Sequence, residues 1–190
     1  MKKLFAVLGL ALVSFQASAS SLNDVNWNDF FMSSLTASIQ DVINWKVGDT
    51  ATFSVAAGSF GNMGTMVKSV TKDEGTALWL HQDMNLSIQK QVADVLLNKA
   101  DGKILKMIVD GKEQAIPDDK IELISQDYTE ITVPAGTFKA VHIVAKSKQI
   151  SKLEVWANPR DTVMEGTLKQ IANTGMFDLI LELTSFKKMP

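Results

Sequence analysis

The short turn signals between apolar runs constrain this chain most. Asp101-Gly102 separates the run Val92–Leu97 from Ile104–Val109, and Asp110-Gly111 follows directly. Asp-Gly supplies the positive φ angles of a tight hairpin, so each pair predicts two strands that reverse direction with almost no loop. Pro134-Ala135-Gly136 does the same between Glu130–Val133 and Phe138–Ala145. Proline suits the first central position of a turn, and glycine tolerates a positive φ. Two-residue turns cannot connect parallel strands, so the pattern predicts an antiparallel meander.

Further strands are expected at Thr50–Val55, Thr65–Val70, Thr76–Gln82, Lys152–Ala157, Val163–Ile171 and Phe177–Phe186. Their turns are Lys72–Gly75, Asn158-Pro159-Arg160-Asp161 and Asn173-Thr174-Gly175. Leu86–Asn98 suits either a helix or a long strand, and Pro117–Lys120 reads as a loop. Gly58 to Gly64 reads as a flexible connection. Before these strands lies one helical pattern. Trp27, Phe31, Leu35, Ile39 and Ile43 recur every fourth residue, with Asn28, Ser33, Ser34, Ser38 and Asp41 mainly opposite. This is an amphipathic helix by spacing, and Gly48 ends the pattern. Its polar face lacks the lysines of a membrane-surface helix, so packing against the sheet is expected. The fold class is therefore mainly β (α+β): a curved antiparallel meander or half-barrel on one N-terminal helix, with roughly nine or ten strands.

The first nineteen residues read as a signal peptide. Lys2 and Lys3 precede the apolar run Leu4–Val13, and Ala17-Ser18-Ala19 is a small-x-small cleavage signal. The run is too short for a permanent bilayer span. Residues 20–190 then form a single β-rich domain, expected in the periplasm of a Gram-negative bacterium or secreted. Removing residues 1–19 takes away two lysines and no acid, so the net charge moves from −2 to −4. With Arg160 as its one arginine and no basic stripe, the chain is not expected to bind nucleic acid. No cysteine is present, which excludes disulfides, thiol nucleophiles and thiolate metal sites.

Thr132-Val-Pro-Ala-Gly-Thr-Phe-Lys-Ala-Val-His-Ile143 resembles the TVPAGTF-x-A hairpin of secreted bacterial proteins of uncharacterised function. In those, a strand with tryptophan and a proline turn often follows, as in Val155-Trp-Ala-Asn-Pro159 and then Val163-Met164. The resemblance covers roughly residues 121–168. It implies a twisted sheet or half-barrel curled around a helix, a shape similar to lipoprotein carriers of the LolA/LolB type. It transfers no functional residue, and in particular no role to Arg160.

Catalytic patterns are thin. His81 and His142 are the two histidines, both within strand patterns, and no Gly-x-Ser-x-Gly elbow exposes a serine. His81 and Asp83 share a strand face, but two ligands do not make a metal site. Asp73-Glu74 and Asp118-Asp119 lack the fixed pattern of a calcium loop and read as solvated turn charges. Glu122, Asp127, Glu130, Glu154 and Glu165 supply carboxylates for an acid-dependent hydrolase, though none lies in a diagnostic motif. The glycines at 58, 61 and 64 precede a strand pattern rather than the helix a phosphate cradle needs.

No enzyme activity and no cofactor are expected. Trp79, Phe138, Trp156 and Met164 are the candidate lining of a concave apolar pocket, against the plainer reading that they pack on the helix. The expected function is a noncatalytic periplasmic binding or carrier module for a lipid or other apolar ligand. The alternative is an envelope protein-protein interaction module using a sheet edge or loop.

Overall fold

A computed structural model describes residues 45–116, 121–147, 150–173 and 177–190. The expected signal peptide and the amphipathic pattern over 27–43 lie outside these residues. Among the described residues one antiparallel sheet holds eleven strands: β1 (Thr50–Ala57), β2 (Gly61–Asp73), β3 (Ala77–Leu86), β4 (Lys90–Asn98), β5 (Ile104–Val109), β6 (Lys112–Gln114), β7 (Glu122–Val133), β8 (Gly136–Lys146), β9 (Lys152–Ala157), β10 (Thr167–Asn173) and β11 (Asp178–Lys187). The mainly β, antiparallel, open sheet agrees with the turn signals.

The spatial order is β6-β5-β4-β3-β2-β1-β11-β10-β9-β8-β7. Every pairing joins neighbours in sequence except one, where β1 pairs with β11 from Thr50 opposite Lys187 to Ala57 opposite Leu179. Two meanders are thus joined at the centre by the first and last strands. Asp49 fastens that join: its carboxylate accepts from the Lys46 N–H at 2.9 Å and the Met189 N–H at 2.8 Å. Its carbonyl accepts from the Val70 N–H at 3.0 Å.

The two edges, β6 and β7, are consecutive in sequence. Eight residue steps separate Gln114 from Glu122, and extended chain covers at most about 29 Å in that distance. Eleven flat strands would be about 48 Å wide. The sheet must therefore curl.

Bulges supply the bend. The register shifts by one residue at Met63, Thr71, Leu105, Ile124, Leu168 and Thr184. Each extra residue kinks its strand and increases the twist. Two of these, Leu105 and Ile124, are large apolar residues turned into solvent by the shift.

Period-two burial identifies the inner face. Ala51, Phe53, Val55 and Ala57 are buried along β1; Leu78, Leu80, Gln82, Met84 and Leu86 along β3; Leu179, Leu181 and Leu183 along β11. The β7–β8 hairpin runs past the end of β9, and its tip folds back on the core. The Ala135 N–H donates to the Leu183 carbonyl at 3.0 Å, and Phe138 meets Phe186 at 6.4 Å between ring centroids.

Three expectations change in detail. Leu86–Asn98 is the end of β3, a turn and β4, not a helix. The strand expected over Val163–Ile171 begins only at Thr167, because Met164 (φ 54°) and Gly166 (φ 74°) hold residues 163–166 in a folded loop. The connection expected from Gly58 to Gly64 is shorter: a 3-10 turn at Gly58–Phe60, with β2 already running from Gly61.

Candidate functional site

The inner face is largely apolar, with Lys68 on β2, Gln82 on β3 and Gln170 on β10 as long polar side chains fully buried on it. Lys68 on β2 is directly opposite Gln82 on β3. Ala51 flanks Lys68 on β1, and Ala93 flanks Gln82 on β4. Two long polar side chains are thus framed laterally by two small residues. Along the strands Met66 and Val70 flank Lys68, and Leu80 and Met84 flank Gln82. Lys68 and Gln82 are each fully buried.

The third member comes from the β9–β10 loop. Asn158 organises this loop with both ends of its amide. It donates to the Lys139 carbonyl at 2.8 Å and to Asp161 Oδ2 at 2.7 Å, and it accepts from the Asp161 N–H at 3.0 Å. The Thr162 hydroxyl donates to the Asn158 carbonyl at 2.6 Å, and the Asn158 N–H donates to the Gly166 carbonyl at 2.8 Å. Gly166 is required here: a Cβ on it would lie 2.2 Å from the Pro159 nitrogen. The loop so held buries Val163, Met164 and Glu165.

Glu165 Oε1 accepts from Lys68 Nζ and from the Thr167 hydroxyl, the latter at 3.3 Å. Lys68 Nζ also lies 5.5 Å from the centre of the Phe53 ring, the geometry of a cation–π contact. Both amide atoms of Gln82, and Glu165 Oε2, are buried with no hydrogen-bond partner. Each such atom costs about 1–3 kcal/mol relative to a satisfied one. The group therefore presents one donor and two acceptors to whatever polar atoms meet it.

The pocket-lining candidates occupy four different surroundings. Trp79 lies on the face of β3 opposite Leu78 and Leu80, where its indole N–H donates to Glu74 Oε1 at 3.0 Å. Trp156 stacks on His142, with centroids 4.3 Å apart and planes 7° from parallel. Phe138 packs at the hairpin tip, and Met164 is buried in the β9–β10 loop. No hydrogen bond or ring contact links the four among the described residues.

Both histidines sit in cross-strand ladders. His142 Nε2 is 3.2 Å from Glu154 Oε2, and Nδ1 is 3.5 Å from Asp127 Oδ1. Burial alone would raise the Glu154 carboxyl. The Lys152 ammonium, at 2.8 Å, and the His142 ring outweigh it and hold the group below its ordinary value. His81 Nδ1 lies 2.7 Å from Asp94 Oδ1, with Ser69 opposite on β2. The three residue types of a nucleophilic triad share this row, but no Ser69–His81 hydrogen bond joins them among the described residues. The row works as a partly exposed cross-strand pair.

Sequence reasoning missed Lys68 and Gln82. Their signal was present, as polar residues at inner-face positions of alternating strands, Met66-x-Lys68-x-Val70 and Leu80-x-Gln82-x-Met84.

The fold is shared with a chlamydial protein. The hypothetical protein CT021 from Chlamydia trachomatis superposes with a TM-score of 0.53 at 11% identity, covering 80% of this chain and 93% of that one. A "putative exported protein with YmcC-like fold" from Bacteroides fragilis gives a TM-score of 0.42 at 10% identity, covering 77% of this chain and 99% of that one. A "putative lipoprotein" from Parabacteroides distasonis gives 0.38 at 12% identity, covering 78% and 100%. No family model matches the chain, and no curated protein matches its sequence. The chlamydial likeness carries the fold and no activity.

Proposed function

We propose that this chain is a noncatalytic binding or carrier protein of the bacterial envelope, and that its ligand is amphipathic. The apolar part of the ligand would lie along the methionine- and leucine-rich inner face. Its polar end would meet Gln82 and Glu165 beside Lys68. The observation that carries this reading is the buried amide of Gln82, which has neither donor nor acceptor satisfied in a largely apolar interior. Exchanging a buried ion pair for packed apolar residues is often neutral or stabilising. Fold stability alone therefore gives little reason to keep Lys68, Glu165 and Gln82 together inside. An ordered water would also satisfy such atoms, so the test must separate water from ligand. The envelope location rests on the signal-peptide pattern of residues 1–19.

The test is native mass spectrometry of protein purified from its own compartment without detergent, paired with an organic extract. A stoichiometric adduct of lipid-like mass, weakened in a Gln82→Leu variant that remains folded, supports the reading. A bare protein mass, with an extract no different from a control protein's, counts against it and leaves water as the occupant.

A further inference from the structure

The sheet's two edges are guarded very differently. Natural edge strands avoid stray pairing by being short or bulged, or by carrying lysine or proline. β6 is three residues long. β7 is twelve residues long, Glu-Leu-Ile-Ser-Gln-Asp-Tyr-Thr-Glu-Ile-Thr-Val, with no lysine, arginine or proline. Its bulge falls at Ile124, near one end, so Ser125–Val133 continues in unbroken register. Among the described residues β7 pairs with β8 alone.

Every residue from Ile124 to Glu130 is exposed, so both faces of the strand are open there as well as its edge. Alternate backbone N–H and C=O groups of such a strand point away from the sheet and can complete a new ladder.

Side chains along the strand define what fits. Glu122, Asp127 and Glu130 are its charged residues, and all are acidic. Glu122 and Asp127 already have basic neighbours on β8, Lys146 at 3.3 Å and His142 at 3.5 Å. Their side chains nevertheless remain 70% and 61% exposed, with room for a second partner. Tyr128, 83% exposed, shares a face with Glu130, two residues on. A cation laid over the ring and against that carboxylate would gain from both. A second copy of β7 would instead bring one acidic strand against another, which is unfavourable.

We propose that β7 is a docking edge for an extended segment of a partner protein rich in arginine or lysine. That segment adds a strand beside Ser125–Thr132. This edge is independent of the interior site.

The test uses the full mature chain and a blocked nonapeptide alternating arginine and valine. Controls replace arginine by glutamate, or N-methylate every second residue of the arginine peptide in either frame. A ladder needs the N–H groups of one frame and not the other. The expected result is binding of the arginine peptide, loss with one N-methylated frame, retention with the other, and slowed amide exchange confined to residues 125–132. Replacing both Asp127 and Glu130 by lysine should weaken binding about fivefold or more, with an unchanged circular dichroism spectrum. Equal binding of both N-methylated peptides would reduce the effect to charge and overturn the proposal. So would equal binding of the glutamate peptide, absence of binding, or a dimer in sedimentation whose exchange protection maps to β7.

Discussion

Lys68 and Glu165 are worth more as a pair than either is alone. Lys68→Met leaves the Glu165 carboxylate buried without its cation and should cost about 3–5 kcal/mol in urea unfolding. Adding Glu165→Leu should recover much of that loss, since the buried charge goes as well. A double variant no more stable than Lys68→Met would show that the two residues act separately. Glu154 makes a pH-dependent contribution. Its carboxyl is held below its ordinary value by Lys152 and His142. The stabilisation is therefore present above the unfolded-state value and is lost as pH falls through the lowered one. The stability gap between the native chain and Glu154→Gln should be full at neutral pH and should close below about pH 4. A gap that stays constant across that range would contradict the linkage. Both residues are visible in the sequence as acids, but their opposite circumstances are not. One is drawn inside by a loop that Asn158 ties from several sides, and the other lies partly buried on a strand.

Among the elements, hairpins were the most legible. Asp110 and Gly111 both have positive φ, 48° and 75°, and Val109 pairs with Lys112 across them. Local chemistry decides such a turn, but at Asp101-Gly102 only Gly102 has positive φ, and Asn98 pairs with Lys103 across the longer loop Lys99–Gly102. The β9–β10 loop was not legible, because the apolar run Val163-Met164 imitates a strand. Its conformation depends on Asn158 and Gly166 reaching across the loop, which no local pattern encodes. Gly166→Ala should therefore destabilise by more than about 1 kcal/mol, as it adds a close contact with Pro159 to the strain of positive φ. An unchanged thermal midpoint would show that the loop relaxes freely. The bulges were hidden for a different reason. A bulge is a mismatch between two strands, and either strand read alone looks regular. The strand expected over Glu130–Val133 begins at Glu122 for another reason: Ile124 to Glu130 is exposed on both faces, so it shows no apolar alternation.

On the scale of the whole molecule, curvature follows from connectivity. β1 and β11 join the two meanders at the centre, and the short link from β6 to β7 draws the outer edges together. Asp49 holds the central join at its end, so Asp49→Ala frees two backbone N–H groups at once. It should lower stability by about 1–3 kcal/mol and accelerate amide exchange at Lys46 and Met189 first. Exchange that accelerates uniformly instead would mean that the join opens only with the whole sheet. Antiparallel order was readable because turns are local. The interior polar group was not, since Lys68 and Glu165 are 97 residues apart in the chain and meet only through the curl. We propose that this interior receives the polar end of an amphipathic ligand. Native mass spectrometry of detergent-free protein, with extraction of any adduct, tests it most directly. A one-to-one lipid-like adduct that Gln82→Leu weakens is the predicted result. A bare polypeptide mass with an empty extract would contradict it.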